Sequence, residues 1–193
     1  MNAIIMVLTP KECSLLFNGS MSMLVRKSMP KKLSFPFKVY VYQKKHKGGK
    51  AIINEVLNNV YGGGKIVGEF VCDKKITKYS YEVIACAKFE VNGAYTKEEN
   101  HYNAGACLSE EEMYEYSNGK PLYGLHITKP KRYDKPKELH EFRAVCKKGK
   151  TKPNKDCRGC TYAFKGVANK EIICDRAIMR APHTWVYVEE IKE

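Results

Sequence analysis

The chain has 193 residues, enough for one ordinary domain with an elaboration and for a sizeable buried core. Its 34 Lys and Arg against 21 Asp and Glu give a formal net charge of +13, which points to nucleic acid as the natural partner; the alternative is that lysine serves only solubility. Ala3 to Leu8 is an apolar run too brief for a membrane span or a secretory core, so the expected compartment is the reducing cytoplasm.

That run reads as a buried first strand. A helix follows at once. Thr9 is placed as an N-cap, Pro10 stands at the first helical position where its missing N–H costs nothing, and Glu12 completes a capping box. Cys13, Leu16 and Phe17 share one helix face, Asn18-Gly19 supplies the stop, and a second strand ends in Arg26. In the next strand, Phe37 to Gln43, Lys38, Tyr40 and Tyr42 alternate with Val39 and Val41. The tyrosine face is either a platform for stacking bases or half-buried sheet packing.

Lys44 to Gly64 is a long hairpin excursion, with a basic glycine-bearing loop, an apolar stretch at Ile52 to Val60 and three closing glycines. Gly62 to Lys65 is no P-loop, because Ile66 follows the lysine and no glycine stands at the Walker spacing. Lys65 to Asp73 predicts a further strand, and Glu90 to Cys107 a polar surface connection. A second capping box, Ser109 with Glu112, opens a short helix through about Tyr116 that Asn118-Gly119 and Pro121 stop. Glu110, Glu111 and Glu112 complement the helix dipole there. Tyr123 to Thr128 predicts a strand with His126 facing away from Leu125 and Ile127, either toward a cleft or into the core. Tyr133 to Leu139 is that strand's exit, and Trp185 to Ile191 reads as a closing strand.

Eight cysteines stand at 13, 72, 86, 107, 146, 157, 160 and 174. In a reducing compartment a disulfide framework is not expected. Cys13 and Cys72 lie in apolar periodic contexts and behave as small hydrophobes. Cys146, the pair Cys157 and Cys160 in a CxxC, and Cys174 cluster in a segment of different composition, where four thiolates suffice for a structural Zn²⁺; reduced, unliganded thiols are the alternative. His140 or His183 is a substitute for one thiolate, and the CxxC follows no βαβ pattern that would suggest redox chemistry. The same segment carries Lys147, Lys148, Lys150, Lys152, Lys155 and Arg158. It is either a solvated insertion or an arm that grips phosphates.

A buried strand running into a Pro-started helix, then Gly19 and Arg26 spaced as GxxxxxxR in a second strand, resembles the ASCH family of the PUA-like superfamily. The blocks FKVYVYQ, KIVGEFVCD, YGLHIT and YDKPKEL extend the likeness. The closing APHTWVYVEE resembles the last strand of small ASCH-like proteins of phages and prophages of low-GC bacteria. The resemblance implies a single α+β domain over 1–193: a PUA-like β-barrel flanked by short helices, with a basic Cys/Lys-rich insertion at 140–180 and the excursion at 44–64. Relatives bind RNA, nucleosides or nucleotides in a cleft beside the first helix and second strand. Some hydrolyse modified cytidines or cleave RNA with a Lys and a Thr in this region. Aligned on Arg26, this chain has Met21 at the lysine, Ser22 at the first threonine and Leu24 at the second, so that set is broken and no catalytic residue is assigned.

The sequence therefore reads as an RNA- or nucleotide-binding protein. The expected phosphate contacts are Arg26, Lys27, Lys44, Lys45, Lys47, Lys147, Lys148 and Lys150, and the expected stacking residues are Tyr40 and Tyr42. One alternative is a nuclease or modified-nucleoside hydrolase in which Ser22, His126 and a helix glutamate converge. Another is a phage accessory protein that binds a host defence protein or its nucleotide signal.

Overall fold

A strand that is apolar at every position is stable only when both of its faces are covered, and Ala3 to Leu8 is buried throughout. The computed structural model describes residues 2–47, 58, 61–79, 89–91, 94–96, 105–146, 163–165 and 172–191. In chain order these form β1 (Asn2–Leu8), α1 (Pro10–Phe17), β2 (Met23–Arg26), β3 (Phe37–Gln43), β4 (Ile66–Tyr79), β5 (Phe89–Val91), β6 (Ala94–Thr96) and α2 (Glu110–Ser117). They continue as β7 (Leu122–Lys137), a 3-10 turn (Leu139–Glu141), β8 (Ala163–Lys165), β9 (Ile172–Cys174) and β10 (Trp185–Glu189).

Six strands make one half-barrel sheet in the order β10-β1-β3-β4-β7-β2. The pair β1 and β3 is parallel, with Ile5 opposite Tyr40 and Leu8 opposite Gln43, and every other neighbour in the sheet is antiparallel. The strands expected at Ala3 to Leu8, before Arg26, at Phe37 to Gln43, at Lys65 to Asp73, at Tyr123 to Thr128 and at Trp185 to Ile191 all lie in this sheet, and the closing one returns to pair with β1. The two late segments expected around Tyr123 and Tyr133 are one continuous 16-residue strand, β7, with register shifts against β4.

The period of two divides the core. Ile4, Met6 and Leu8 of β1 join Val39, Val41, Phe70 and Leu125 beneath Cys13 and Leu16 of α1. On the opposite face Ala3, Ile5, Tyr40 and Ile66 meet Phe142, Ala144, Ile178 and Val188. A third cluster seats α2, where Met113 covers Met23, Val25 and Leu122. Burial pushes the Cys13 thiol up to about 12, and burial with the neighbouring Asp73 charge does the same to Cys72, so both remain protonated hydrophobes.

Both capping boxes form. The Thr9 hydroxyl accepts from Glu12 N–H at 3.2 Å while the Glu12 carboxylate accepts from Thr9 N–H at 2.7 Å, and Ser109 with Glu112 repeats the arrangement. At the end of α1, Asn18 stays right-handed and Gly19 takes the positive φ of 81°. At the end of α2, Asn118 itself is left-handed at φ 47°.

Helix α1 reaches the sheet closely because position 68 of β4 has no side chain. A Cβ on Gly68 would lie 2.4 Å from the Lys131 carbonyl oxygen and 2.6 Å from Cζ of Phe17. Gly68→Ala is therefore expected to lower stability by about 1–3 kcal/mol. Urea denaturation checks this, through a lower midpoint with an unchanged m-value.

Candidate nucleic-acid interface

Because β1 and β3 run parallel, their C-terminal ends lie side by side, and the N-terminus of α1 and the approach to β10 converge on the same place. There the chain forms a cavity of about 610 Å³ lined by Val7, Thr9, Pro10, Tyr42, Lys44, Lys45, His46, Lys47, Ala181 and Pro182. Backbone bonds hold its rim: Lys44 N–H donates to Leu8 O at 2.8 Å, and Gly64 N–H donates to Gln43 O at 2.8 Å. His46 N–H donates to Asn58 Oδ1 at 2.6 Å, which fixes the turn that carries the lysines. The Tyr42 phenol is pushed above its ordinary value, first by burial and then by the Glu138 carboxylate. Glu138 is itself paired with Lys65 at 2.7 Å. The wall thus presents one half-buried aromatic ring that keeps its proton at neutral pH, three ammonium groups and an imidazole.

Of the expected contacts, Tyr42, Lys44, Lys45 and Lys47 are brought together in this cavity. Lys27 lies over the Tyr116 ring of α2, 4.9 Å from its centroid. Lys147, Lys148 and Lys150 lie outside the described residues.

Two of the expected contacts are corrected. Tyr40 is only 1% exposed, its ring meets Phe142 edge-on at 4.8 Å, and its hydroxyl accepts from Ile191 N–H at 2.9 Å. It cannot stack a base, because the segment around Phe142 and Ala144 covers the sheet face that alternation alone leaves open. Arg26 is bound internally: its guanidinium donates to Glu12 Oε1 at 2.8 Å, to Val25 O at 2.8 Å and to Val7 O at 3.3 Å, with the side chain 11% exposed. It fastens β2 to α1 and to the end of β1 and leaves no open fork for a phosphate.

A second cavity of about 200 Å³ lies beside α1 and β2, where the family resemblance places its cleft. Its lining includes Leu15, Met21, Leu24, Arg26 and Cys107, and Met21 and Leu24 belong to the core. Met21 and Leu24 themselves bring neither an ammonium nor a hydroxyl to this cavity, whose polar lining comes from Thr9, Lys11, Glu12 and Arg26. Thr9 lines both cavities, and Glu12 and Arg26 line the smaller one.

His126 is neither buried core nor part of either cavity. Its Nδ1 lies 2.6 Å from Asp73 Oδ1 across the β4–β7 pair, with both side chains partly exposed. Burial raises the Asp73 carboxyl, and the hydrogen bond and charge of His126 more than reverse this, leaving it below its ordinary value. The carboxylate at His126 is Asp73, and of the helix glutamates Glu112 serves the Ser109 cap and faces Lys11. Nothing in the sequence announced Asp73, because its partner stands 53 residues away and only strand register joins them. Ala181 and Pro182 were missed in the same way.

No family model matches the chain, and no curated protein matches its sequence. Among solved structures it is similar to the ASCH protein of Zymomonas mobilis, at 12% identity and a TM-score of 0.47, with 71% of this chain and 73% of that one covered. Two single-residue variants of that protein match at the same identity and TM-score over 76% and 74% of their chains. Among the described residues no helix is long and apolar enough to cross a membrane.

The Arg26 strap has a measurable value. Charge-assisted hydrogen bonds contribute about 1.5–3 kcal/mol, so Arg26→Gln is expected to cost about that much. Thermal unfolding checks it, and Lys11→Gln, whose partner Glu112 is 3.8 Å away on the surface, is expected to change stability by less than about 0.5 kcal/mol.

Proposed function

We propose that this chain is an ASCH-type PUA-like protein of the small phage and prophage class, and that it binds single-stranded RNA in the cavity at the ends of β1 and β3. The observation that carries the reading is the placement of Tyr42 among Lys44, Lys45 and Lys47 on one concave wall. A flat ring supplies a stacking surface that any base fits, and ammonium groups beside it neutralise the phosphates on either side. The net charge of +13 adds a long-range field that raises the rate of encounter. The GxxxxxxR strand and the capped helix before it support the family assignment, with Arg26 in a structural role. Further phosphate contacts come from Lys27 and from Lys147, Lys148 and Lys150 of the basic insertion.

Catalysis is not part of this proposal, since Met21 and Leu24 carry no reactive group. The His126–Asp73 pair favours the hydrolase reading to one extent only: it leaves Nε2 available on an imidazole oriented by a carboxylate. That reading predicts RNA cleavage or nucleoside hydrolysis that His126→Ala abolishes, whereas the binding reading predicts no turnover.

Fluorescence anisotropy with a short single-stranded RNA tests the proposal. Affinity is expected to fall with salt with a slope of about −0.7 per phosphate neutralised. The triple variant Lys44→Ala, Lys45→Ala, Lys47→Ala is expected to flatten that slope, and Tyr42→Ala to weaken binding about 5- to 160-fold with the slope unchanged, a loss of roughly 1–3 kcal/mol of stacking. A mononucleotide that binds as tightly as the RNA would identify a nucleotide receptor. Absence of RNA and nucleotide binding at low salt would overturn the reading in favour of a protein partner.

A further inference from the structure

Cys157 and Cys160, two of the four expected zinc ligands, lie outside the described residues with the rest of the 147–162 stretch. A basic surface that is described lies on the outer half of β7. From Lys129 to Lys137 that strand reads KPKRYDKPK, five cations against the single acid Asp134, and Lys129, Lys131, Arg132 and Lys135 are exposed. Like charges so close together repel, and either water with counter-ions or a polyanion relieves the repulsion.

The position of this arm favours the polyanion, because the turn at residues 61–65 joins it to the larger cavity. On one side Gly64 N–H donates to Gln43 O at 2.8 Å, just behind the lysines of the cavity wall. On the other, Gly62 is packed against the arm: a Cβ there would lie 2.8 Å from Cγ1 of Val67 and 3.0 Å from Cγ of Pro136. Gly62 and Gly64 take φ of 74° and 89°, which closes the turn over so short a span. At its head Tyr61 is 47% exposed, with its ring centroid 6.4 Å from that of His46 on the cavity wall. Glu138, the acid at the junction, is paired with Lys65. A large ring is thus held half in water at a fixed place, between the cavity and a row of cations.

RNA is a chain, so a strand held in the cavity has to leave it. The lining formed by Ala181 and Pro182 offers no charge to a phosphate, whereas His46 leads to Tyr61 and from there to the arm. We propose, resting on the RNA-binding reading above, that the bound single strand continues from the cavity across the Tyr61 ring and along the outer half of β7. Tyr61 stacks a base beyond the one on Tyr42, and Lys129, Lys131 and Lys135 neutralise the phosphates that follow. As extended strand, Lys129 to Lys137 covers about 25 Å, so the ligand is an oligomer and not a mononucleotide. Arg132 is placed by α1 instead, with its guanidinium 5.9 Å from the centroid of the Phe17 ring.

Fluorescence anisotropy on the full chain tests this with oligouridines of about 3 nucleotides, for the cavity alone, and about 12, which also cover the arm. The longer oligomer is expected to bind about 100-fold tighter, well above the statistical gain from its extra registers, with a salt slope steeper by about 0.7 for each added phosphate neutralised. Tyr61→Leu is expected to weaken binding of the long oligomer about 5- to 160-fold with the slope kept. The triple variant Lys129→Gln, Lys131→Gln, Lys135→Gln is expected to lower its slope by about 2. Neither change is expected to alter binding of the short oligomer. Photo-crosslinking of the unmodified chain to a thiouridine-bearing long oligomer is expected to label Tyr61 and β7, and keeps the test decisive where a variant does not fold. A long oligomer that gains only its register factor, or that keeps affinity and slope in both variants, would overturn the track and leave the cavity reading standing. Absence of binding at both lengths would overturn the cavity reading and the track with it. Polyglutamate of equal charge that binds as tightly as the long RNA would overturn the track in favour of an acidic protein partner.

Discussion

The ion pair between Arg26 and Glu12 organises everything around it. One carboxylate closes the capping box of α1 with one oxygen and takes the guanidinium with the other, while that guanidinium also reaches the Val25 and Val7 carbonyls. Three elements are therefore fixed by two side chains: the start of α1, the end of β2 and the end of β1. Charged partners that are mostly removed from water are costly to separate, because either one left alone stays desolvated. The arrangement sets the direction in which Thr9 and Pro10 face the larger cavity.

That constraint separates two sites of different chemistry. On the side of β2 the cavity is small, and Met21 and Leu24 on its wall are core side chains. On the side of β3 the cavity is three times larger, at about 610 against 200 Å³, and its wall is basic with one aromatic ring. Parallel pairing of β1 and β3 is what puts the basic turn beyond Gln43 next to the helix start beyond Leu8. The proposed single-stranded RNA would use the ring for stacking and the ammonium groups for phosphates.

Local signals were legible in the sequence where the physics is local. Thr9, Pro10 and Glu12 announced α1, Ser109 and Glu112 announced α2, and the apolar run at Ala3 announced a strand covered on both faces. Long-range covering was not legible. The alternation of Tyr40 with Val39 and Val41 is the same whether a face is open or closed, and only Phe142 and Ala144, a hundred residues on, decide that Tyr40 is buried. Arg26 likewise reads as an open cation until the register brings Glu12 to it. That Tyr42, Lys44, Lys45 and Lys47 are neighbours was legible because four residues within six positions need no distant partner to be brought together.

The most direct test of the account is a chemical-shift titration of the folded protein with a short single-stranded RNA. The account predicts that the amides of Thr9 and of Tyr42 to Lys47 move together and saturate, with Met21, Leu24, Cys107 and Leu108 little changed. Shifts confined to those latter residues would place the ligand in the small cavity beside β2 and contradict it.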